Sequence, residues 1–181
     1  MIFNSNYHFI TYWEVVATQE EVYRLLEEVE ALPKWWPSVY LEVTVLEKGQ
    51  KGGVGKIIDL YTKGWLPYTL RWKFEVTETE FPNGFAIRAF GDFVGKGVWT
   101  FKQRPDSDIC DIVYDWNIVA EKPLLRYLSF LMRPIFAANH IWAMNKGLKS
   151  LQLELLRRRA KTPEELAQIP PPPPATFVFN K

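Results

Sequence analysis

Three features of the 181-residue sequence predict an α+β fold, a curved seven-stranded antiparallel sheet wrapped around a long C-terminal helix. The chain opens with one extended and one helical segment. From Val39 to Glu121 it reads as strands and turns, with no second helical pattern. It then closes on an apolar stripe at helical spacing, long enough to cross a whole sheet.

Each element has a local reason. Phe9 to Val16 is rich in aromatic and β-branched side chains, which favour a half-buried strand. Thr18 caps the next helix, Glu21 completes a capping box, and Val22, Leu25, Leu26 and Val29 define the buried face. Pro33 is expected to end that helix, and Trp35, Trp36 and Pro37 make a bulky corner, so short helical structure fills the connection between strands 1 and 2. The turn signals EKGQKGG, TKG, FPNG, GD and RPDSD then separate six strands, paired most simply as a meander. Within them Tyr68, Leu70, Trp72, Phe74 and Val76 alternate with Thr69, Arg71, Lys73 and Glu75, so one face is buried and the other wet. Cys110, Ile112, Tyr114, Trp116 and Ile118 repeat the rule in the last strand.

A helical stretch follows Pro123 to about Met132, and Pro134 reads as a first-turn residue of a long helix reaching Arg158. Ala137, Ile141, Met144, Leu148, Leu151 and Leu155 form its stripe, and at about 1.5 Å per residue it spans roughly 36 Å. Residues 1–160 thus form one domain. Residues 161–181 add a short helix begun by Thr162, a stiff polyproline spacer from Pro170 to Pro174, and a tail expected to lie outside the main fold.

Composition narrows the partners. The 22 basic and 21 acidic residues leave a net charge of +1, which offers nucleic acid no attractive field. One cysteine, Cys110, and two histidines, His8 and His140, exclude an intramolecular disulfide and a Cys- or His-rich metal centre; neither metal nor cofactor is expected. The N-terminus lacks the pattern of a secretory signal, and no uncharged run approaches the roughly 18 residues of a spanning helix, which together point to the cytoplasm. Peripheral membrane contact stays open, through Trp35, Trp36 and the basic helix end at Arg157, Arg158, Arg159 and Lys161. Monomer and homodimer are equally compatible with the chain. GDFVGKG joins two strands and opens no helix, and GGVGK lacks the remaining residues of a phosphate loop, so neither is a nucleotide motif.

Aromatic residues make up 15% of the sequence. One helix, about 10 Å across, does not fill the concave face of seven strands, so a pocket beneath it is expected. The candidate lining is Trp36, Tyr68, Leu70, Trp72, Phe74, Ile87, Trp99, Tyr114 and Trp116, with Asn139, His140 and Met144 from the helix. The same rings equally suit a solid aromatic core. His140, Tyr114 and Asp115 are the candidates for proton transfer. Against this, a helix-edge histidine often bonds a backbone carbonyl, and Asp115 is out of phase with Tyr114, which puts it on the wet face unless the sheet bulges.

Several phrases carry a family resemblance in their order and spacing: ALPKWWP at 31–37, KGWLPYTLRW at 63–72, GDFVGKGVW at 91–99, YDW at 114–116, EKP at 121–123 and RPIFAANHIWAMNKGLKSLQLEL at 133–155. Over about residues 7–158 the chain resembles the SRPBCC superfamily (START/Bet v 1-like), in particular its bacterial polyketide cyclase/dehydrase-like branch. The resemblance implies a helix-grip fold and a hydrophobic ligand under the long helix, and it brings no catalytic residues. Three functions follow as expectations: a carrier or sensor for an aromatic, polyketide-like or isoprenoid/lipid molecule; a polyketide cyclase or dehydratase using His140; or a membrane-surface lipid or quinone shuttle.

Overall fold

The computed structural model describes residues 6–121 and 123–177. Its strands are β1 (Asn6–Val16), β2 (Tyr40–Lys48), β3 (Lys56–Lys63), β4 (Thr69–Glu80), β5 (Gly84–Gly91), β6 (Phe93–Gln103) and β7 (Ile109–Ala120). They form one curved antiparallel sheet in the order β1-β7-β6-β5-β4-β3-β2, which is the predicted meander with the first strand added beside the last. The alternation is kept: Leu70, Trp72, Phe74 and Val76 are buried on β4, while Arg71 between them is exposed. Register shifts at Tyr40/Glu42 and Val45/Glu47 between β2 and β3, and at Val76/Glu78 between β4 and β5, mark where the strands bend.

β1 and β2 are consecutive in sequence but lie on opposite edges of the sheet. The chain between them runs through helix α1 (Gln19–Glu27), a 3₁₀ turn (Val29–Ala31) and helix α2 (Leu32–Trp35). The Thr18–Glu21 capping box is formed in both directions, at 3.1 Å and 2.7 Å. Pro33 does not end α1 as expected. It sits in the first turn of α2, where a missing N–H costs nothing.

Helix α3 (Pro123–Arg159) is continuous through Pro134, so the expected break and restart there does not occur. A proline removes one intrahelical hydrogen bond, and a helix of 37 residues keeps the rest. Its buried face also differs from the predicted stripe. Met144, Leu151 and Leu155 are buried, but Ile141 is 57% exposed, and His140 takes the inward side at that level. Gly147 brings the helix backbone close to the connection: a Cβ there would lie 2.2 Å from the Trp36 ring.

Helix α4 (Pro163–Gln168) is capped by Thr162 as predicted. The segment after it does not lie outside the fold. Arg157 donates to the Pro170 carbonyl, Pro173 is buried, and the backbone at Thr176 and Phe177 returns to the end of β3.

Candidate ligand-binding site

The interior is neither solid nor wide open. At the end of the sheet covered by α1 and α2, rings fill the space: Trp13 packs on Trp36 and Trp99, and Tyr23 meets Phe81, Phe85 and Phe101 edge-on. Toward the N-terminal half of α3 a cavity of about 140 Å³ remains, bounded by β1, β3, β4, β6, β7, the Trp36–Tyr40 connection and α3.

Nine predicted residues line it: Trp36, Tyr68, Leu70, Trp72, Tyr114, Trp116, Asn139, His140 and Met144. Phe74, Ile87 and Trp99 do not. All three are buried on the predicted face, but further along their strands, and Trp99 stacks behind Tyr114 at 4.1 Å. Period-2 phase assigns a face and says nothing about position along the strand.

One wall is a mutually packed set of Trp72, Phe93 and Trp116, with ring centroids 5.6–6.3 Å apart. Trp72 is oriented by its indole N–H, which donates to Thr62 Oγ1 at 3.0 Å within the buried interior. Tyr114 stacks on Trp116 at 5.6 Å. Four tyrosines, Tyr7, Tyr40, Tyr68 and Tyr114, also line the cavity. The Tyr7 hydroxyl is buried without a partner among the described residues. Burial pushes Tyr68 up to about 12, with Tyr7 adding to it, and raises Tyr7, Tyr40 and Tyr114 above the ordinary phenol value. Near neutral pH all four therefore stay protonated and can donate.

On the helix side, His140 stacks flat on Phe9 at 4.2 Å and lies 3.5 Å from Thr11 Oγ1. Burial lowers its pKa to about 4, so the imidazole is neutral at pH 7. Asn139 is a structural tie. Its Oδ1 accepts from the backbone N–H groups of Trp65 and Leu66 at 2.9 and 3.3 Å, pinning the β3–β4 loop to α3. Gly64 makes room for it, because a Cβ there would lie 2.1 Å from Asn139 Oδ1.

Two expectations are corrected. Asp115 points to the outer face of β7 and pairs with His8 at 3.0 Å, both half exposed, so no Asp115–His140 pair exists. Trp35 and Trp36 are 1% and 2% exposed, and cannot dip into a membrane. The basic helix end is likewise engaged: Arg158 pairs with Glu28 and Glu154, and Arg159 with Glu21. The membrane-shuttle expectation thus loses both its supports. No helix among the described residues is long and apolar enough to cross a membrane, and none of them form a cluster able to hold a metal.

The lining also includes residues the pattern did not single out, chiefly Tyr7, Phe9, Tyr40, Thr62, Lys63, Phe93 and Phe136. Tyr7 and Phe9 share the phase of Trp13 and Val15 on β1, and Phe93 shares that of Trp99 on β6, so the same alternation identifies them. Lys63 reads only as part of a turn signal.

Comparison with known proteins agrees with this architecture. Residues 15–140 match the family described as polyketide cyclase / dehydrase and lipid transport. No curated protein matches the sequence significantly. Among solved structures, the aromatase/cyclase Zhui from Streptomyces sp. R1128 is 17% identical, with a TM-score of 0.65 over 86% of this chain and 97% of its own. A Thermus thermophilus protein is 20% identical, with a TM-score of 0.67 over 85% of this chain and 100% of its own. A START superfamily protein from Mycobacterium smegmatis is 15% identical, with a TM-score of 0.57 over 80% and 98%. At such identities the structural likeness speaks for the fold, whereas the family match spans most of the sheet and the start of α3. The chain therefore belongs to the polyketide cyclase / dehydrase and lipid transport family, in the SRPBCC (START/Bet v 1-like) superfamily with its helix-grip fold.

Proposed function

We propose that this protein binds an oxygenated aromatic molecule of polyketide type, as a carrier or sensor, in the cavity between the sheet and α3. One observation carries this reading: Trp72, Phe93 and Trp116, tilted or edge-on to one another, share the cavity lining with four tyrosines that stay protonated near neutral pH. The rings grip a planar ligand through apolar burial, worth about 25 cal/mol per Å². The hydroxyls ask for acceptors, and a purely hydrocarbon isoprenoid would leave them unpaired at a cost of about 1–3 kcal/mol each. A cavity of about 140 Å³ is the size that holds about one aromatic ring.

Native mass spectrometry of freshly purified protein, followed by extraction of any co-purifying molecule, tests this. An oxygenated aromatic compound is expected. Recovery of an acyl lipid or a hydrocarbon isoprenoid as the stoichiometric ligand would overturn the aromatic reading.

A second reading, a cyclase or dehydratase, is favoured by His140. A neutral imidazole at the cavity wall can accept a proton from a ligand carbon or hydroxyl, with tyrosine hydroxyls holding the adjacent carbonyl. For an enzyme, His140→Ala abolishes turnover of the recovered compound and leaves its binding within a few-fold; equal loss of both leaves binding as the function.

A further inference from the structure

The two edges of the sheet are built differently. β2, at one edge, carries devices that keep a free strand from pairing: its register shifts at Tyr40/Glu42 and Val45/Glu47, and Glu42, Glu47 and Lys48 are exposed along it. β1, at the other edge, has no bulge, no proline and no lysine. It pairs with β7 in one unbroken register over 11 residues and exposes Ile10 and Tyr12 at 48% and 72%. A long, regular free edge with apolar side chains is a template for another strand.

Half of the β1 backbone groups point to that edge. The Ala17 N–H donates to the Asp108 carbonyl at 2.9 Å, continuing the β1–β7 ladder. By alternation the odd-numbered residues of β1 bond to β7, and the even-numbered ones turn their N–H and C=O groups outward. The bonds from α3 obey this parity: Arg133 donates to the Asn6 carbonyl at 3.1 Å and Arg159 to the Val16 carbonyl at 2.9 Å. The helix thus holds the two ends of the edge. Between them His8, Ile10, Tyr12 and Glu14 have no strand partner on that side among the described residues.

We propose that the protein forms a two-fold homodimer by antiparallel pairing of β1 with β1 of a second copy, joining two seven-stranded sheets into one. With the axis at Thr11, His8 opposes Glu14 of the second copy and Ile10 opposes its Tyr12, each pair occurring twice by symmetry. All four side chains lie on the outer face, so a histidine meets a carboxylate and an aliphatic chain meets an aromatic ring. A slip of two residues sets Ile10 or Tyr12 against itself and loses the His8–Glu14 pair in either direction. His8 is already paired with Asp115 and Glu14 with Arg104, so acidic and basic groups alternate across the seam. The four residues supply about eight ladder hydrogen bonds, within the range of a stable interface. The inference is independent of what the cavity binds.

Sedimentation velocity of the full-length protein, from about 5 μM to about 0.5 mM, is expected to show a concentration-dependent dimer. Tyr12→Lys weakens dimerisation by about tenfold or more and leaves the urea stability of the monomer unchanged, because that side chain stands in water. His8→Glu sets carboxylates against each other and also weakens the dimer, whereas His8→Lys keeps it. The register is read by cysteine cross-linking. In the proposed pairing the two copies of residue 11 form a non-hydrogen-bonded pair with Cα atoms about 4.5 Å apart, within reach of a disulfide. The two copies of residue 14 lie roughly 20 Å apart. Mild oxidation therefore links Thr11→Cys protein into dimers and leaves Glu14→Cys protein unlinked; the native Cys110 is buried and takes no part. A wild type that stays monomeric at about 0.5 mM overturns the proposal and leaves the edge to an extended segment of another protein. A dimer that Tyr12→Lys leaves intact, or Thr11→Cys protein that links no better than Glu14→Cys protein, overturns it as well.

Discussion

His140 shows how one residue can serve the cavity at a cost to acid stability. Its pKa falls from an ordinary 6.5 to about 4, because burial against Phe9 disfavours the imidazolium. Above about pH 6.5 it is neutral whether the chain is folded or not. As the pH falls from 6.5 to 4 the unfolded chain takes up a proton that the folded one resists, so stability drops by about 3 kcal/mol across that window and levels below it. His140→Gln should remove this slope in urea titrations run from pH 7 to 4. Glu21 acts in a lower window. Arg159 holds its carboxyl down to about 2, so the stability it confers is present above 4.5 and lost toward pH 2. That loss should survive in the His140 variant.

Among elements, the connection from β1 to β2 carries the most local instruction. Thr18→Ala removes the cap of α1 and should cost about 1 kcal/mol by chemical denaturation, with the cavity unaffected. Gly147→Ala is expected to cost more. The added methyl meets the Trp36 ring, held in place by Trp13, Trp35 and Tyr40, so α3 or the ring must shift, at about 1–3 kcal/mol. Because Trp36 and α3 both border the cavity, this variant should also alter ligand affinity, a coupling that Thr18→Ala lacks. The tail belongs to the same scale. Composition marks it as a spacer, but it packs against α3 and the end of β3.

At the scale of the whole molecule, folding and binding use opposite ends of one concave sheet. The end under α1 and α2 is packed solid with aromatic rings, and the end under the first half of α3 keeps a cavity. Ala143 borders that cavity from the helix, and Ala143→Leu should fill part of it. The expected result is a melting temperature equal to or above that of the wild type, with 2-methylnaphthalene affinity reduced by about tenfold, roughly 1.4 kcal/mol. A parallel loss of stability and binding would show that the cavity is not separable from the core.

The meander of β2 to β7, the capped first helix, the long last helix and the inward faces of Trp72, Tyr114 and Trp116 were all legible in the sequence, whereas the pairing of β1 with β7 was not. Period-2 alternation, caps and turn signals are local, and local patterns decide which face a residue takes. Whether Trp99 or Trp116 borders the cavity, whether Trp35 and Trp36 are buried, and whether Lys63 meets the tail depend on contacts between segments far apart in the chain. The order of residues alone was therefore enough to set the class of fold and the aromatic character of its interior. Where that interior stays open, and which polar groups face the opening, emerged only from the packed structure, because a cavity is what remains after all elements have come together.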